Sequence, residues 1–267
     1  MNDFIGQSKI KEFLSNLTID NCPQSILLVG EKGCGKHLVC NEFSKKLKID
    51  CMDITDNLSL DLITDIYLNP FPTIFIIDFN KLSVKQENSL LKLLEEPING
   101  CYVIVLCTST AVVLPTILNR CRIIRFQPYT TSELMNFVSE TTDDLKFIFE
   151  VADTPGKVID LSINIKDMVL FSKKIIDKLS VASFGNILNI SEKLAFKSEQ
   201  DKFDYDYFCE VFRRVLRNEI VLDNNKNANI IYDLFNECYS ANRVARVNKQ
   251  YIFEQFLFKS KLKLAEV

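Results

Sequence analysis

The sequence predicts an α/β protein in which a parallel sheet, covered by helices on both faces, is followed by an all-helical C-terminal part. Three observations predict it. Unbroken apolar runs of strand length alternate with helical patterns up to about residue 128. A glycine-rich motif of the phosphate-binding type directly follows the first such run. Beyond residue 128 only helical periodicity remains, with apolar residues three or four positions apart.

The elements of the first part follow from apolar runs and helical spacing, in chain order. A helix is predicted near Ser8–Leu17, then a strand at Ser25–Val29, then a helix that begins at His37. Further strands are predicted at Ile49–Ile54, Thr73–Ile77, Tyr102–Leu106 and Ile123–Phe126, and further helices at Leu58–Leu68 and Lys85–Glu96. Pro97 ends the last of these helices, because proline cannot continue the helical hydrogen-bond ladder.

The second part is predicted to hold helices alone. Thr131 or Ser132 is expected to cap a helix toward Ser139. Helices at Leu145–Val151 and Lys157–Leu161 complete a small unit that ends at residue 165. The remainder, 166–267, reads as a bundle of about five helices with a break at Asn224–Asn229. The sequence therefore predicts three domains, with residues 1–128, 129–165 and 166–267.

Composition limits the classes of function. The 267 residues carry a net charge of −3 and a pI near 5.4, which argues against a strongly basic nucleic-acid-binding surface but permits a local basic stripe. No apolar run has membrane-spanning length, and we expect no secretory signal peptide. Nine cysteines without a Cys-x-x-Cys pair favour free thiols and no zinc. We expect a cytoplasmic protein without a membrane partner.

The glycine-rich motif predicts a nucleotide site with one altered ligand. Gly30, Gly33, Gly35 and Lys36 occupy the positions that cradle and neutralise phosphates at a helix N-terminus. The motif normally ends in Ser or Thr, whose hydroxyl binds Mg²⁺, but this chain has His37 there. We therefore expect ATP or ADP in the loop, with Mg²⁺ held weakly or not at all.

A second expected site residue stands at the end of the strand Thr73–Ile77. Asp78 occupies the place of the carboxylate that holds Mg²⁺ in nucleotide-binding sheets, although an aspartate that merely caps a strand end is the alternative. The next residue is Phe79, which cannot accept a proton from an attacking water. Together with His37, this predicts a site that has lost part of its hydrolytic apparatus.

Two further blocks carry a family resemblance. Leu90–Pro97 and Leu114–Cys121 resemble signature blocks of bacterial DNA polymerase III clamp-loader subunits, most closely delta-prime, which is related to gamma/tau and replication factor C small subunits. Phe4–Gln7 and Asp153–Lys157 resemble further segments, so the resemblance covers about residues 4 to 165. It implies an AAA+ core at 1–128, a helical lid at 129–165 and a collar at 166–267. The family forms pentameric hetero-oligomers that act with a sliding clamp and primer-template DNA.

The resemblance also implies roles for individual residues. Arg120 matches the arginine finger that acts in trans at a neighbouring subunit's ATP site, with Asn119 in place of the family serine. The alternative role for Arg120 is an ordinary ion pair with a surface carboxylate. Thr108 matches the sensor hydroxyl after the strand Tyr102–Leu106, and Lys157 matches the sensor arginine of the lid. Lysine keeps the charge but loses the bidentate geometry.

The sequence thus predicts a clamp-loader subunit that hydrolyses little or no ATP itself and supplies Arg120 to a neighbour. The first alternative is an active AAA+ ATPase whose missing ligands come from elsewhere. The second is a P-loop phosphotransferase that acts on a small molecule, a hypothesis that gives the blocks Leu90–Pro97 and Leu114–Cys121 no role.

Overall fold

The structure, a computed structural model, describes residues 5–138, 145–179, 185, 204–222, 225–242 and 249–265. It divides into two compact units, Met1–Phe137 with Asp153–Gly156 and Val138–Ala152 with Lys157–Val267. The predicted division into three domains stays a prediction. Of the residues named from sequence, Phe4, Ser139 and Asn224 lie outside the described ranges.

The first unit is built on five parallel strands in the order β2-β3-β4-β1-β5. The strands are β1 (Ser25–Val29), β2 (Cys51–Asp53), β3 (Thr73–Asp78), β4 (Cys101–Cys107) and β5 (Arg122–Arg125). All five predicted strands are present, and β2 is shorter than predicted. Because every pairing is parallel, the carboxyl ends of the strands lie along one edge of the sheet.

Helices cover both faces of this sheet. They are α1 (Ser8–Ser15), α2 (Lys36–Leu47), α3 (Leu60–Leu68), α4 (Val84–Glu95), α5 (Pro115–Leu118) and α6 (Thr131–Met135). Leu27 of β1 belongs to one buried apolar cluster, and its neighbours Ile26 and Leu28 belong to a second. Since successive side chains of a strand point to opposite faces, the sheet has an apolar core on each side. The predicted three-layer α/β core is confirmed.

The start of α6 corrects one expectation. Thr130, rather than Thr131 or Ser132, caps this helix, because Thr130 has extended backbone angles and its hydroxyl accepts a hydrogen bond from the Glu133 amide. The Glu133 carboxylate in turn accepts from the Thr130 amide at 2.8 Å. This reciprocal pair is a capping box.

In the described part of the second unit, all regular secondary structure is helical. It holds α7 (Leu145–Val151), most of α8 (Pro155–Leu179), α9 (Tyr205–Leu222), α10 (Lys226–Asn242) and α11 (Lys249–Ala265). Helix α8 is continuous across residue 165, where the sequence predicted a boundary between two helical domains. The Asn225 side chain accepts hydrogen bonds from the amides of Asn227 and Ala228, so α10 begins earlier than expected. The rings of Phe208, Phe235, Phe253 and Phe256 surround Phe212, with centroids 5.2 to 6.3 Å from its ring.

Candidate nucleotide-binding site

The phosphate-type loop connects β1 to α2, and its three glycines stand where a side chain would be strained or would clash. Gly33 and Gly35 have φ values of 82° and 99°, a left-handed region that other residues rarely adopt. Gly35 is the N-cap of α2, so the amides of the first helical turn face the loop. A Cβ at Gly30 would lie 2.7 Å from the Cys34 sulfur and 2.9 Å from the Phe126 Cβ. The loop therefore has the backbone shape and helix N-terminus that suit phosphate.

Lys36 and His37 follow directly in the first turn of α2. The Lys36 ammonium donates hydrogen bonds to the carbonyl oxygens of Gly30, at 2.5 Å, and Glu31, at 3.0 Å. This holds the cation inside the curve of the loop, where phosphate charge would be neutralised. The His37 side chain is exposed. Its imidazole is a poor match for Mg²⁺, which prefers oxygen ligands.

Three donors from distant parts of the chain fix the tip of the loop. The Thr154 hydroxyl donates to the Lys32 carbonyl at 3.0 Å, and the Gly156 amide donates to the Gly33 carbonyl at 2.9 Å. The Tyr129 hydroxyl donates to the Cys34 carbonyl at 2.9 Å, and burial raises the pKa of this phenol to about 12, which keeps it a neutral donor. Sequence reasoning missed Tyr129 and Thr154 as supports of the loop.

A second group of polar residues lies at the carboxyl ends of β3 and β4. The Asp78 carboxylate accepts hydrogen bonds from the Asn80 amide at 3.1 Å and from the Asn80 side chain at 2.8 Å. The Thr108 hydroxyl donates to the Asn80 side-chain oxygen at 2.9 Å. Asn80 therefore joins Asp78 and Thr108 into one hydrogen-bonded chain, which sequence reasoning missed. The available signal was an amide side chain two residues after the strand-end aspartate.

The residues around Asp78 are held by the protein interior. Thr55 is buried, and its hydroxyl accepts from the Asp78 amide at 2.9 Å while donating to the Asp53 carboxylate at 2.6 Å. The Gln86 side chain, at the start of α4, donates to the Thr55 carbonyl at 3.0 Å. Phe79 is only 1% exposed and belongs to the apolar core on that face of the sheet. The position after Asp78 thus contributes packing rather than a polar group.

Arg120 and Lys157, the two cationic site residues predicted outside the loop, each form an ion pair with a carboxylate. The Arg120 guanidinium lies 2.8 Å from the Glu95 carboxylate, so the pairing expected under the alternative hypothesis is present. The Lys157 ammonium lies 3.1 Å from the Glu210 carboxylate within the second unit. The roles of Arg120 in trans and of Lys157 at a nucleotide stay predictions.

The described residues contain neither a metal-binding cluster nor a membrane-spanning helix. Among the described residues, no three or more His, Cys, Asp or Glu side chains come close enough together to bind a metal ion. In the described part of the chain, no helix has the length and apolar character that crossing a bilayer requires. The nine thiols are free, and burial raises the pKa of Cys40 to about 12.

The part of the chain that carries this site is similar in sequence to known replication proteins. A family model described as "DNA polymerase III, delta subunit" matches residues 48–130, which include Asp78, Thr108 and Arg120. Replication factor C small subunits of Methanococcus maripaludis and Methanococcus vannielii are each 22% identical over 160 residues, 54% of this chain and 51% of the relative. The chain therefore spans about half the length of these relatives.

Solved structures support the fold. The RuvB Holliday junction branch migration motor of Thermotoga maritima superposes with a TM-score of 0.51 at 17% identity, over 85% of this chain and 80% of that one. A variant of the same motor gives a TM-score of 0.53 at 16% identity, over 97% and 89% of the two chains. These values show an AAA+ fold with a helical C-terminal part. In sequence, the chain is similar to DNA polymerase III delta subunits over residues 48–130 and to replication factor C small subunits over about half of its length, and both of these are clamp-loader proteins.

Proposed function

We propose that this chain is a delta-prime-like clamp-loader subunit in DNA replication that turns over little or no ATP and supplies Arg120 to a neighbouring subunit's nucleotide site. The similarity to clamp-loader proteins supports the clamp-loader role. The altered positions His37 and Phe79 support the loss of turnover in the chain's own loop. In this proposal the protein acts in the cytoplasm, in a hetero-oligomer with ATPase subunits, on a sliding clamp and primer-template DNA.

The observation that carries the proposal is the burial of Phe79. A general base must reach the attacking water within hydrogen-bond distance, and general acid–base catalysis contributes about 10²–10⁴-fold to a rate. The phenyl ring accepts no proton and is packed with Ile77 and Leu82 in the apolar core. No carboxylate occupies the position directly after Asp78, where AAA+ ATPases hold their base.

The remaining site suits binding better than turnover. The glycine loop, the N-terminus of α2 and the Lys36 ammonium fit the phosphates of ATP or ADP. One oxygen of Asp78 is already engaged by Asn80, and His37 offers no hydroxyl to Mg²⁺. A bound metal ion would stabilise phosphate charge, but this chain provides few oxygen ligands for it.

ATP turnover by the purified chain tests the loss of hydrolysis against the alternative of an active ATPase. We expect binding of a fluorescent ATP analogue by the wild type, weaker binding by Lys36→Ala, and background hydrolysis by both. Appreciable hydrolysis that Lys36→Ala abolishes would establish the active ATPase instead. Phosphate transfer to small hydroxyl compounds would favour the phosphotransferase.

The reconstituted complex tests the role of Arg120. An arginine finger contributes about 10³–10⁵-fold to the rate of the site it serves. We therefore expect Arg120→Ala to remove the turnover of one site from the DNA-stimulated ATPase while assembly stays intact. Arg125→Ala removes the same charge from the nearby strand β5 and serves as the matched control. Equal turnover by the two variants would contradict the assignment of Arg120.

A further inference from the structure

The Arg120 guanidinium contacts two acceptors that belong to different helices. Its Nη1 donates to the Thr116 carbonyl of α5 at 2.8 Å, and its Nη2 lies 2.8 Å from the Glu95 carboxylate at the end of α4. The two side chains remain partly open to solvent, with 35% of the Arg120 surface and 50% of the Glu95 surface exposed. Guanidinium carries five N–H donors, so these two contacts leave three for another ligand.

The backbone that carries Glu95 and Arg120 is fixed by buried apolar residues close to each in sequence. Glu95 directly follows Leu94, and Arg120 comes three residues after Ile117; both apolar side chains are buried in the same cluster. The Arg120 amide donates to the Ile117 carbonyl at 3.0 Å, which fixes the turn after α5. The packed core therefore fixes the backbone positions from which the two charged side chains extend.

The charge pattern also links the two residues. Glu95 and Glu96 close α4, although the C-terminal end of a helix disfavours negative charge. The Arg120 cation compensates this charge at Glu95. Exposed ion pairs add little to stability. The main consequence of the contact is orientation, because a free arginine side chain has many rotamers.

We propose that Glu95 is a positioning residue for Arg120, which it holds in the orientation that meets phosphate oxygens of the neighbouring subunit. This inference rests on the proposed function, since it concerns the same guanidinium. Ordering the side chain before assembly reduces the entropy that must be lost when the guanidinium binds phosphate. The loss of Glu95 should therefore lower the rate of turnover rather than the affinity for ATP.

The test uses the reconstituted complex with Glu95→Ala and with Glu96→Ala as the matched control. Glu96 is the neighbouring carboxylate, and no contact between its side chain and Arg120 is found in the described part of the chain. We expect Glu95→Ala to lower the kcat of DNA-stimulated ATP hydrolysis about two- to tenfold with unchanged KM, and Glu95→Gln to lower it less. Glu96→Ala should leave kcat unchanged, and the melting temperatures of both variants should agree.

A double variant separates this inference from the proposed function. In the Arg120→Ala background, Glu95→Ala should have no further effect on kcat. If Arg120→Ala itself has no effect, the proposed finger is wrong. If Arg120→Ala lowers kcat but Glu95→Ala equals the Glu96→Ala control or raises kcat, Glu95 does not position Arg120 and the finger stands. An additional loss in the double variant would also contradict the inference.

Discussion

The close approach of Gly156 to the Gly33 backbone predicts that a side chain at position 156 destabilises the protein. A Cβ added at Gly156 would lie 2.7 Å from the Gly33 Cα and 3.1 Å from the Gly33 carbonyl oxygen. Both atoms belong to the backbone of the loop and cannot turn aside as a side chain would. In Gly156→Ala, either the loop or the start of α8 must therefore shift.

One stabilising and two destabilising contributions determine how Gly156→Ala changes the free energy of unfolding. Gly→Ala within a helix gains at most about 1 kcal/mol. Overpacking costs about 1–3 kcal/mol, and loss of the hydrogen bond from the Gly156 amide to the Gly33 carbonyl costs about 0.5–1.5 kcal/mol. We expect the free energy of unfolding to fall by about 1–3 kcal/mol in Gly156→Ala. Because Gly33 belongs to the nucleotide loop, a displacement of its backbone should also weaken binding of a fluorescent ATP analogue.

Gly185 provides a matched control. A Cβ there meets no atom of the described residues within 4 Å, and the residue is helical, so Gly185→Ala should be neutral or stabilise by up to about 1 kcal/mol. Urea unfolding followed by circular dichroism measures both variants. The reasoning is refuted if Gly156→Ala is as stable as Gly185→Ala and binds the analogue with wild-type affinity.

Two further predictions concern the core and a helix cap. Phe79→Ala should lower the free energy of unfolding by about 3–5 kcal/mol, measured by urea unfolding, because it leaves a cavity in the apolar core; a loss below about 1 kcal/mol would show that the site collapses. Hydrogen bonds from the Thr130 amide and hydroxyl lower the pKa of the Glu133 carboxyl. Its contribution to stability is therefore full above the ordinary pKa of 4.5 and disappears as the pH falls through the lowered value. The difference in melting temperature between wild type and Glu133→Ala should shrink from about pH 6 to about pH 3, and a difference that grows on acidification would contradict this assignment.

Much of the α/β core could be predicted from local sequence patterns. Unbroken apolar runs such as Thr73–Ile77 identified strands, because parallel strands are buried on both faces. The glycine spacing identified the loop, because left-handed φ values at Gly33 and Gly35 are readily adopted only by glycine. The capping box at Thr130 and Glu133 was also present in the sequence. Three consecutive hydroxyl residues obscured which one begins the helix.

Other features depend on contacts between distant residues. The supports of the loop from Tyr129 and Thr154 join side chains to carbonyls that lie roughly a hundred positions away, and no spacing rule identifies such pairs. Asn80 joins Asp78 to Thr108 only because β3 and β4 are neighbours in the sheet. Helix α8 passes through residue 165 because residues 157–179 contain neither glycine nor proline to interrupt it.

The strand order also governs when the nucleotide loop can take its shape during synthesis of the chain. Strand β1 pairs only with β4 and β5, and the Gly30 amide donates to the carbonyl of Cys107. On the other side, the Phe126 amide donates to the Val29 carbonyl. The loop therefore gains its first sheet neighbour only after β4 has been synthesised and its second only after residues up to about 126 have left the ribosome, and closing such long chain segments is slow. In a nascent chain, the phosphate-binding loop is consequently among the last parts of this sheet to form.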